Sequence, residues 1–84
     1  MPELKIGDVL TYYSGGTYRV LELLFGAAGY EAGQQLVEMA RYVQLYDGEM
    51  PAGTKYVRPV DEILHGTVAV EGVAQKIFEI NATQ

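Results

Sequence analysis

The chain has 84 residues, of which 49% are hydrophobic, and a formal net charge of −5. This length predicts one domain over residues 1–84 with a modest core. The negative charge disfavours nonspecific binding to nucleic acid or to anionic membranes, because both need a basic surface. The chain has no cysteine and a single histidine, His65, which argues against disulfides and multi-histidine metal sites, so no cofactor is predicted.

Residues 1–6 have neither the basic nor the apolar region of a secretion signal, and no apolar run approaches roughly 18 residues. We therefore expect a cytoplasmic protein without a membrane-spanning segment. A small chain that lacks disulfides and metals often gains stability by association. A second copy of the chain is accordingly one candidate partner.

The first part of the chain has β-rich runs separated by glycines. Residues 9–13 and 17–25 predict two strands, and Ser14-Gly15-Gly16 predicts the tight turn between them. The alternation of the second run is imperfect, and a bulge near Leu21-Glu22 would bring its apolar residues onto one face. Residues 26–35 contain three glycines and no periodic pattern, which is typical of a loop.

Residues 36–46 fit two patterns. One apolar stripe has the spacing of a helix and consists of Leu36, Met39, Ala40 and Val43. The apolar residues at odd positions from 37 to 45 also alternate as in a strand, interrupted by Arg41. Strand is the preferred interpretation, and an α+β fold with a helix at 31–45 is the alternative.

The next segment is divided by turn-forming residues and proline. Residues 47–53 predict a loop and Tyr56-Val57 a short strand. Because Pro59 cannot donate a ladder hydrogen bond, the strand ends there or lies at an edge of the sheet. Residues 60–64 predict a single helical turn, which Gly66 ends.

The last segment predicts a hairpin. Residues 67–70 and 73–80 are β-rich and flank Glu71-Gly72, which suits a tight turn. Several short strands with glycine turns and at most one or two helical turns indicate a mostly β protein. The predicted architecture is a small, strongly bent antiparallel sheet, a sandwich or a barrel, and closure would remove the sheet edges.

Four segments resemble, in order, a bacterial family of short uncharacterised proteins called domain of unknown function 1653. They are residues 12–20 (YYSGGTYRV), 40–48 (ARYVQLYDG), 56–59 (YVRP) and 68–72 (VAVEG). Tyr12, Ser14 and Tyr56 stand where the family pattern has histidine, lysine and tryptophan, so the chain resembles a divergent member. The resemblance implies an SH3-like β-barrel with no established activity, and it favours a strand at residues 36–46.

Tyrosine and arginine side chains near these segments are the candidate ligand-binding residues. Tyr42 and Tyr46 should leave the predicted strand on one face, opposite Met39 and Val43. The proposed surface consists of Tyr12, Tyr42, Tyr46, Tyr56 and Arg58. Aromatic packing is the alternative for the tyrosines and the preferred interpretation for Tyr18. The alternative for Arg58 is an ion pair with Asp47, Asp61 or Glu62.

The leading functional hypothesis is a non-catalytic interaction module that binds a peptide, often proline-rich, or a small ligand on this surface. Stacking of single-stranded nucleic acid or of a nucleotide is the alternative, which the net charge opposes. A third hypothesis is a small enzyme in which His65 acts with Asp61 or Glu62 as acid and base. No serine or cysteine lies at a spacing that suggests a nucleophile.

Overall fold

A computed structural model describes residues 3–81, so Met1, Pro2 and residues 82–84 of the predicted domain lie outside the described part. Within residues 3–81, seven strands, one α-helix and one 3-10 turn follow one another. They are β1 (Val9–Tyr12), β2 (Thr17–Gly26), the 3-10 turn (Tyr30–Ala32), β3 (Val37–Gln44), β4 (Lys55–Pro59), α1 (Val60–His65), β5 (Thr67–Val70), β6 (Val73–Lys76) and β7 (Phe78–Asn81). This content confirms the predicted mostly β class.

The first two strands form the predicted hairpin. Gly15 has a φ of +107°, which L side chains rarely adopt, and this explains a glycine in the turn. The amide of Tyr12 donates to the carbonyl of Gly16 at 2.7 Å and closes the turn. The hairpin thereby brings Tyr12 and Tyr18 near each other, with ring centroids 6.4 Å apart.

The predicted bulge in β2 is confirmed. Val20 pairs with Tyr42 and Glu22 pairs with Arg41, so Leu21 is an extra residue between two paired positions. Such a bulge shifts the alternation by one residue and bends the strand. Leu23 consequently packs against the same core as Val20.

The alternative helix at 31–45 is wrong. Only Tyr30–Ala32 form a 3-10 turn there, and β3 pairs with β2 on one side and with β4 on the other. Within β3 the buried residues are Ala40, Tyr42 and Gln44, at every second position. Pairing on both sides satisfies the backbone of β3, and this outweighs a helical stripe that has no good N-cap.

Pro59 ends β4 at the position predicted for it and is the residue immediately before α1. Its φ of −57° suits a helix start, and the acidic residues Asp61 and Glu62 lie in the first turn of α1. The helix ends at Gly66, whose amide donates to the carbonyl of Glu62 at 2.7 Å. No helix within residues 3–81 is long and apolar enough to cross a membrane.

The hairpin at Glu71-Gly72 is confirmed, but the prediction of one continuous strand over residues 73–80 is wrong. Glu71 and Gly72 have φ values of 51° and 79°, and β5 pairs with β6. The amide of Ile77 donates to Gly66, whereas its carbonyl accepts from Tyr13. Ile77 is therefore where the chain leaves the two-stranded sheet, and β7 joins the larger one.

The larger sheet is open, with the strand order β4-β3-β2-β1-β7 and all pairs antiparallel. Of the predicted forms, the structure has the antiparallel sheet and not the closed barrel, because among the described strands β4 and β7 remain as edges. One face of the sheet and α1 enclose the core. Its buried side chains are Leu4, Leu10, Val20, Ala40, Tyr42, Val60, Ile63 and Phe78.

Candidate functional site

An open cavity of about 310 Å³ lies on the core side of the sheet. Residues of β1, β2, β3, β4 and β7 and of the two adjoining loops line it. The lining side chains are Tyr12, Ser14, Tyr18, Tyr42, Gln44, Tyr46, Glu49, Met50, Tyr56, Arg58 and Phe78. We call this the tyrosine cavity, since five of the seven tyrosines of the chain line it.

All five predicted site residues line the tyrosine cavity: Tyr12, Tyr42, Tyr46, Tyr56 and Arg58. The alternation of β3 turns Tyr42 and Gln44 to this side, and Tyr46 follows in the same direction beyond the end of the strand. Tyr56 pairs with Tyr42 across β3 and β4, and the two rings are stacked with centroids 5.6 Å apart. The geometry therefore unites the predicted residues, whereas their role in binding stays a prediction.

Tyr18, for which packing is the preferred interpretation of the sequence, lies at the centre of the aromatic cluster. Its ring is nearly perpendicular to those of Tyr42, Tyr46 and Tyr56, at centroid distances of 5.5, 5.8 and 5.9 Å. Edge-to-face contacts of this kind add to the stabilisation that buried area alone gives. Tyr18 thus both packs the core and forms the middle of the cavity wall.

Gln44 is the main site residue that sequence reasoning missed. Its side chain is buried, and its amide nitrogen donates to the carbonyls of Tyr46 and Met50 at 2.8 and 2.6 Å. Its amide oxygen accepts from the hydroxyl of Tyr56 at 2.7 Å. These partners use both amide hydrogens and fix the orientation of the group. Gln44 therefore ties the loop after β3 to the cavity floor.

Arg58 has the predicted ion pair, and Glu62 is its partner. The Nη1 atom lies 2.6 Å from Oε1 of Glu62, one helical turn further on, and Nε donates to the hydroxyl of Tyr42 at 2.9 Å. The guanidinium also lies 5.3 Å from the centre of the Phe78 ring. The positive charge in the cavity wall is thus compensated from the helix side.

The other two carboxylates predicted as partners of Arg58 lie elsewhere. Asp47 accepts a hydrogen bond from the amide of Ala52 at 2.9 Å and thereby shapes the loop. Asp61 is exposed in the first turn of α1. Only Glu62 of the three contacts the guanidinium, because the i,i+4 spacing across the start of α1 brings the two side chains together.

The ring of Tyr46 lies between two glycines from different loops. A Cβ atom built on Gly16 would lie 2.6 Å from Cζ of Tyr46, and one built on Gly48 would lie 2.8 Å from Cε2. Neither glycine is required by a positive φ, so close approach of the ring explains both. The hydroxyl of Tyr46 also lies 3.1 Å from that of Tyr18. Tyr46 is therefore held in one position at the rim.

Burial keeps two cavity hydroxyls in the neutral form. It raises the pKa of Tyr18 above the ordinary value of 10, and the hydrogen bond with Tyr46 raises it further. Burial also raises the pKa of Tyr42, and the nearby Arg58 charge lowers it in part. Both groups therefore retain their hydrogen-bond donors well beyond neutral pH.

The residues predicted for acid–base chemistry do not line the tyrosine cavity. His65 is exposed at the end of α1, and the carboxylate of Glu62 contacts Arg58. Within residues 3–81 no group of three or more histidine, cysteine or acidic side chains is arranged to hold a metal ion.

A second cavity of about 510 Å³ lies beside Tyr12, between the β1–β2 turn and β6. Its lining includes the exposed Tyr13 together with Gln75 and Lys76. Tyr12 is the one predicted site residue that it shares with the tyrosine cavity. The aromatic candidates thus converge on the first cavity and not on this one.

Comparison of the chain with protein-family models, with curated proteins and with solved structures found no match. The resemblance of residues 12–72 to domain of unknown function 1653 therefore stays a prediction.

Proposed function

We propose that this chain is a non-catalytic interaction module whose tyrosine cavity binds a peptide or a small ligand. The observation that supports the proposal is the convergence of five tyrosines and Arg58 on one open cavity of about 310 Å³. Ligand sites are typically concave, of roughly 300–1,000 Å³, with aromatic walls and a few polar groups. The fixed position of Tyr46 adds support, since a preformed wall loses little conformational freedom on binding.

The charges of the cavity favour a neutral or cationic ligand over an anion. The carboxylate of Glu62 compensates the guanidinium of Arg58, and Glu49 adds a negative charge to the lining. The faces of the aromatic rings are also electronegative. Together with the net charge of −5, these groups oppose the approach of a polyphosphate.

Stacking of single-stranded nucleic acid or of a nucleotide is the alternative function, and the aromatic walls support it. The same negative charges weigh against it. Filter binding at low salt tests it directly, and failure to retain a labelled oligonucleotide at high protein concentration would exclude it. The third hypothesis, an enzyme that uses His65, has less support, because Glu62 is engaged by Arg58.

We further infer that the chain acts in the cytoplasm as a divergent bacterial relative of domain of unknown function 1653. Its partner in this proposal is a protein or peptide, with a second copy of the chain as one candidate. The order of the four resembling segments within residues 12–72 supports the family inference.

The function is tested by NMR titration of the labelled chain with a library of small molecules and short peptides. We expect ligands to shift the backbone signals around Tyr46 and Tyr56. Tyr46→Ala should abolish these shifts and leave the fold intact, because Tyr46 is partly exposed and lies outside the buried core.

Tyr30→Ala is the matched control, since Tyr30 is exposed and does not line the cavity. Ligands that map to another surface, or that bind Tyr46→Ala as well as the parent chain, would contradict the proposal.

A further inference from the structure

We propose, on the basis of the proposed function, that the ligand of the tyrosine cavity is a proline-rich segment in the extended polyproline conformation, next to a lysine or arginine. Three features of the cavity carry the inference. They are a surplus of hydrogen-bond donors, aromatic walls that meet at nearly right angles, and an unpaired carboxylate in the lining.

The donor surplus follows from counting hydroxyl hydrogens among the described residues. The Tyr42 hydroxyl accepts from Arg58, and no acceptor for its own hydrogen occurs within residues 3–81. Tyr18 and Tyr46 share one hydrogen bond, which leaves one of their two hydrogens free. The Nη2 group of Arg58 also has no hydrogen-bond or ion-pair partner in this part of the chain.

The amide of Gln44 offsets this surplus of donors only in part. Both of its hydrogens are donated to the carbonyls of Tyr46 and Met50, and its oxygen already accepts from Tyr56. A ligand that satisfies the cavity should therefore offer mainly acceptors. This requirement distinguishes among the peptide backbones that the cavity could hold.

A proline-rich backbone meets the requirement, because proline has a carbonyl but no N–H. In the polyproline conformation the carbonyls make no internal hydrogen bonds and point outwards. The fixed φ of proline also means that little conformational entropy is lost on binding. An ordinary extended segment would add N–H donors beside these unpaired donors, whereas Glu49, the free carboxylate of the lining, is left to pair with a charged side chain.

The walls of the cavity suit apolar rings. The Tyr18 ring lies at 80° to Tyr46 and at 83° to Tyr56, and all three rings line the open cavity. Aromatic-lined grooves of this kind are the usual receptors for polyproline segments. Proline rings are compact and apolar, so they pack on such walls without placing an unsatisfied polar group there.

The charge of the lining predicts the residue next to the prolines. Glu49 lines the cavity and has no ion-pair or hydrogen-bond partner among residues 3–81. Since Arg58 is compensated by Glu62, the uncompensated charge is negative. A lysine or arginine beside the prolines would pair with Glu49, and the net charge of −5 would favour its approach.

The test compares three blocked peptides of equal length by NMR titration: a proline-rich peptide with one lysine, the same peptide with every proline replaced by alanine, and the proline peptide with glutamate in place of lysine. We expect the first to bind in the tyrosine cavity and each of the other two to bind about tenfold more weakly or not at all. Equal affinities of the proline and alanine peptides would overturn the proposal.

Two variants test the donor count. Tyr46→Phe removes the hydrogen bond between the Tyr18 and Tyr46 hydroxyls and leaves the hydroxyl hydrogen of Tyr18 free. The number of unpaired hydroxyl hydrogens in the cavity therefore stays the same. The double variant Tyr18→Phe with Tyr46→Phe removes that donor and keeps both rings. We expect the double variant to lose about fivefold more affinity than Tyr46→Phe, and equal affinities would contradict the count.

The outcomes separate this inference from the proposed function. If library molecules bind in the tyrosine cavity and the proline peptide does not, the ligand class is wrong and the binding function stands. The library includes a quaternary ammonium such as choline, because aromatic sites also attract such cations. If neither the library nor any peptide binds there, both proposals fail.

Discussion

The hydroxyl of Tyr42 accepts a hydrogen bond of 2.9 Å from Nε of Arg58, and this contact joins the core to the cavity wall. Tyr42 is buried on β3, whereas Arg58 lies on the neighbouring strand and also contacts α1 through Glu62. The contact therefore links two strands and the helix, and its loss should affect both the fold and the cavity.

Arg58→Met tests this contact, because methionine keeps an apolar stem and removes both polar contacts. We expect a lower free energy of unfolding by about 1–3 kcal/mol, since Tyr42 and Glu62 lose their partner. Urea denaturation measures the change. Arg41→Met is the matched control. The Nε atom of Arg41 lies 3.2 Å from Oε1 of Glu22 on the exposed face, and such ion pairs contribute about 0–1 kcal/mol to the free energy of unfolding. Equal losses of stability in the two variants would contradict the stabilising role given to the contacts of Arg58.

Gln44→Leu tests the buried amide. The hydroxyl of Tyr56 and the carbonyls of Tyr46 and Met50 would lose a hydrogen bond, so we expect destabilisation by about 1–3 kcal/mol in thermal or urea unfolding. Gln75→Leu changes the same residue type at an exposed position of β6 and should alter stability by less than about 0.5 kcal/mol. A Gln44 variant as stable as the control would argue against the role given to this amide.

Gly16→Ala tests how Tyr46 is held. The new methyl group would occupy the place of the Tyr46 ring, so the ring should turn away and lose its contact with Tyr18. The measurement is the set of nuclear Overhauser effects between the two rings, which we expect to disappear while stability changes by less than about 1 kcal/mol.

Gly26→Ala is the control for this change, because its Cβ would meet only Met39 at 3.4 Å and the carbonyl of Val37 at 3.7 Å, both ordinary contact distances. The ring contacts should persist in Gly26→Ala. Persistence in Gly16→Ala as well would mean that Tyr46 does not need the close approach of that glycine.

Stability should fall at alkaline pH. The pKa values of Tyr18 and Tyr42 are raised in the folded protein, so the unfolded chain loses these protons first. The resulting stabilisation is complete below pH 10 and is lost as the pH rises from 10 towards the raised values. Melting temperatures over this range should decline less steeply for Tyr18→Phe than for the parent chain, whereas Tyr30→Phe should match the parent. An identical decline for Tyr18→Phe would contradict the prediction.

Local chemistry made several elements predictable. The turn at Gly15 and the hairpin at Glu71-Gly72 depend on backbone conformations that few residues adopt. The end of β4 at Pro59 follows because proline has no amide hydrogen to donate. The bulge at Leu21 was predictable because only an extra residue brings Val20 and Leu23 to one face. These features need no knowledge of distant parts of the chain.

The open sheet and the break at Ile77 depend on distant contacts. The backbone amide of Ile77 donates a hydrogen bond to Gly66, and its carbonyl accepts one from Tyr13. No pattern within residues 73–80 indicates this change of partner. The order of strands likewise decides whether the edges meet. Closure was therefore a general expectation for small β proteins that this chain does not follow.

The candidate site was predictable in part. Alternation along β3 placed Tyr42 and Tyr46 together, and the same rule could have included Gln44, which lies between them at the matching position. Glutamine is usually exposed, so the residue type argued against placing Gln44 in the site. Tyr18 was assigned to packing, and the structure gives it packing and cavity contacts at once.

The double use of Tyr42, Tyr18 and Phe78 in the core and in the cavity wall has an evolutionary consequence. A substitution that alters recognition at these positions also alters the free energy of folding. Sequence change in this site should therefore be slow, or should occur as compensating pairs. Adaptation to a new ligand would be easier at Ser14, Glu49 and Met50, which line the cavity from loops and contribute nothing to the buried core.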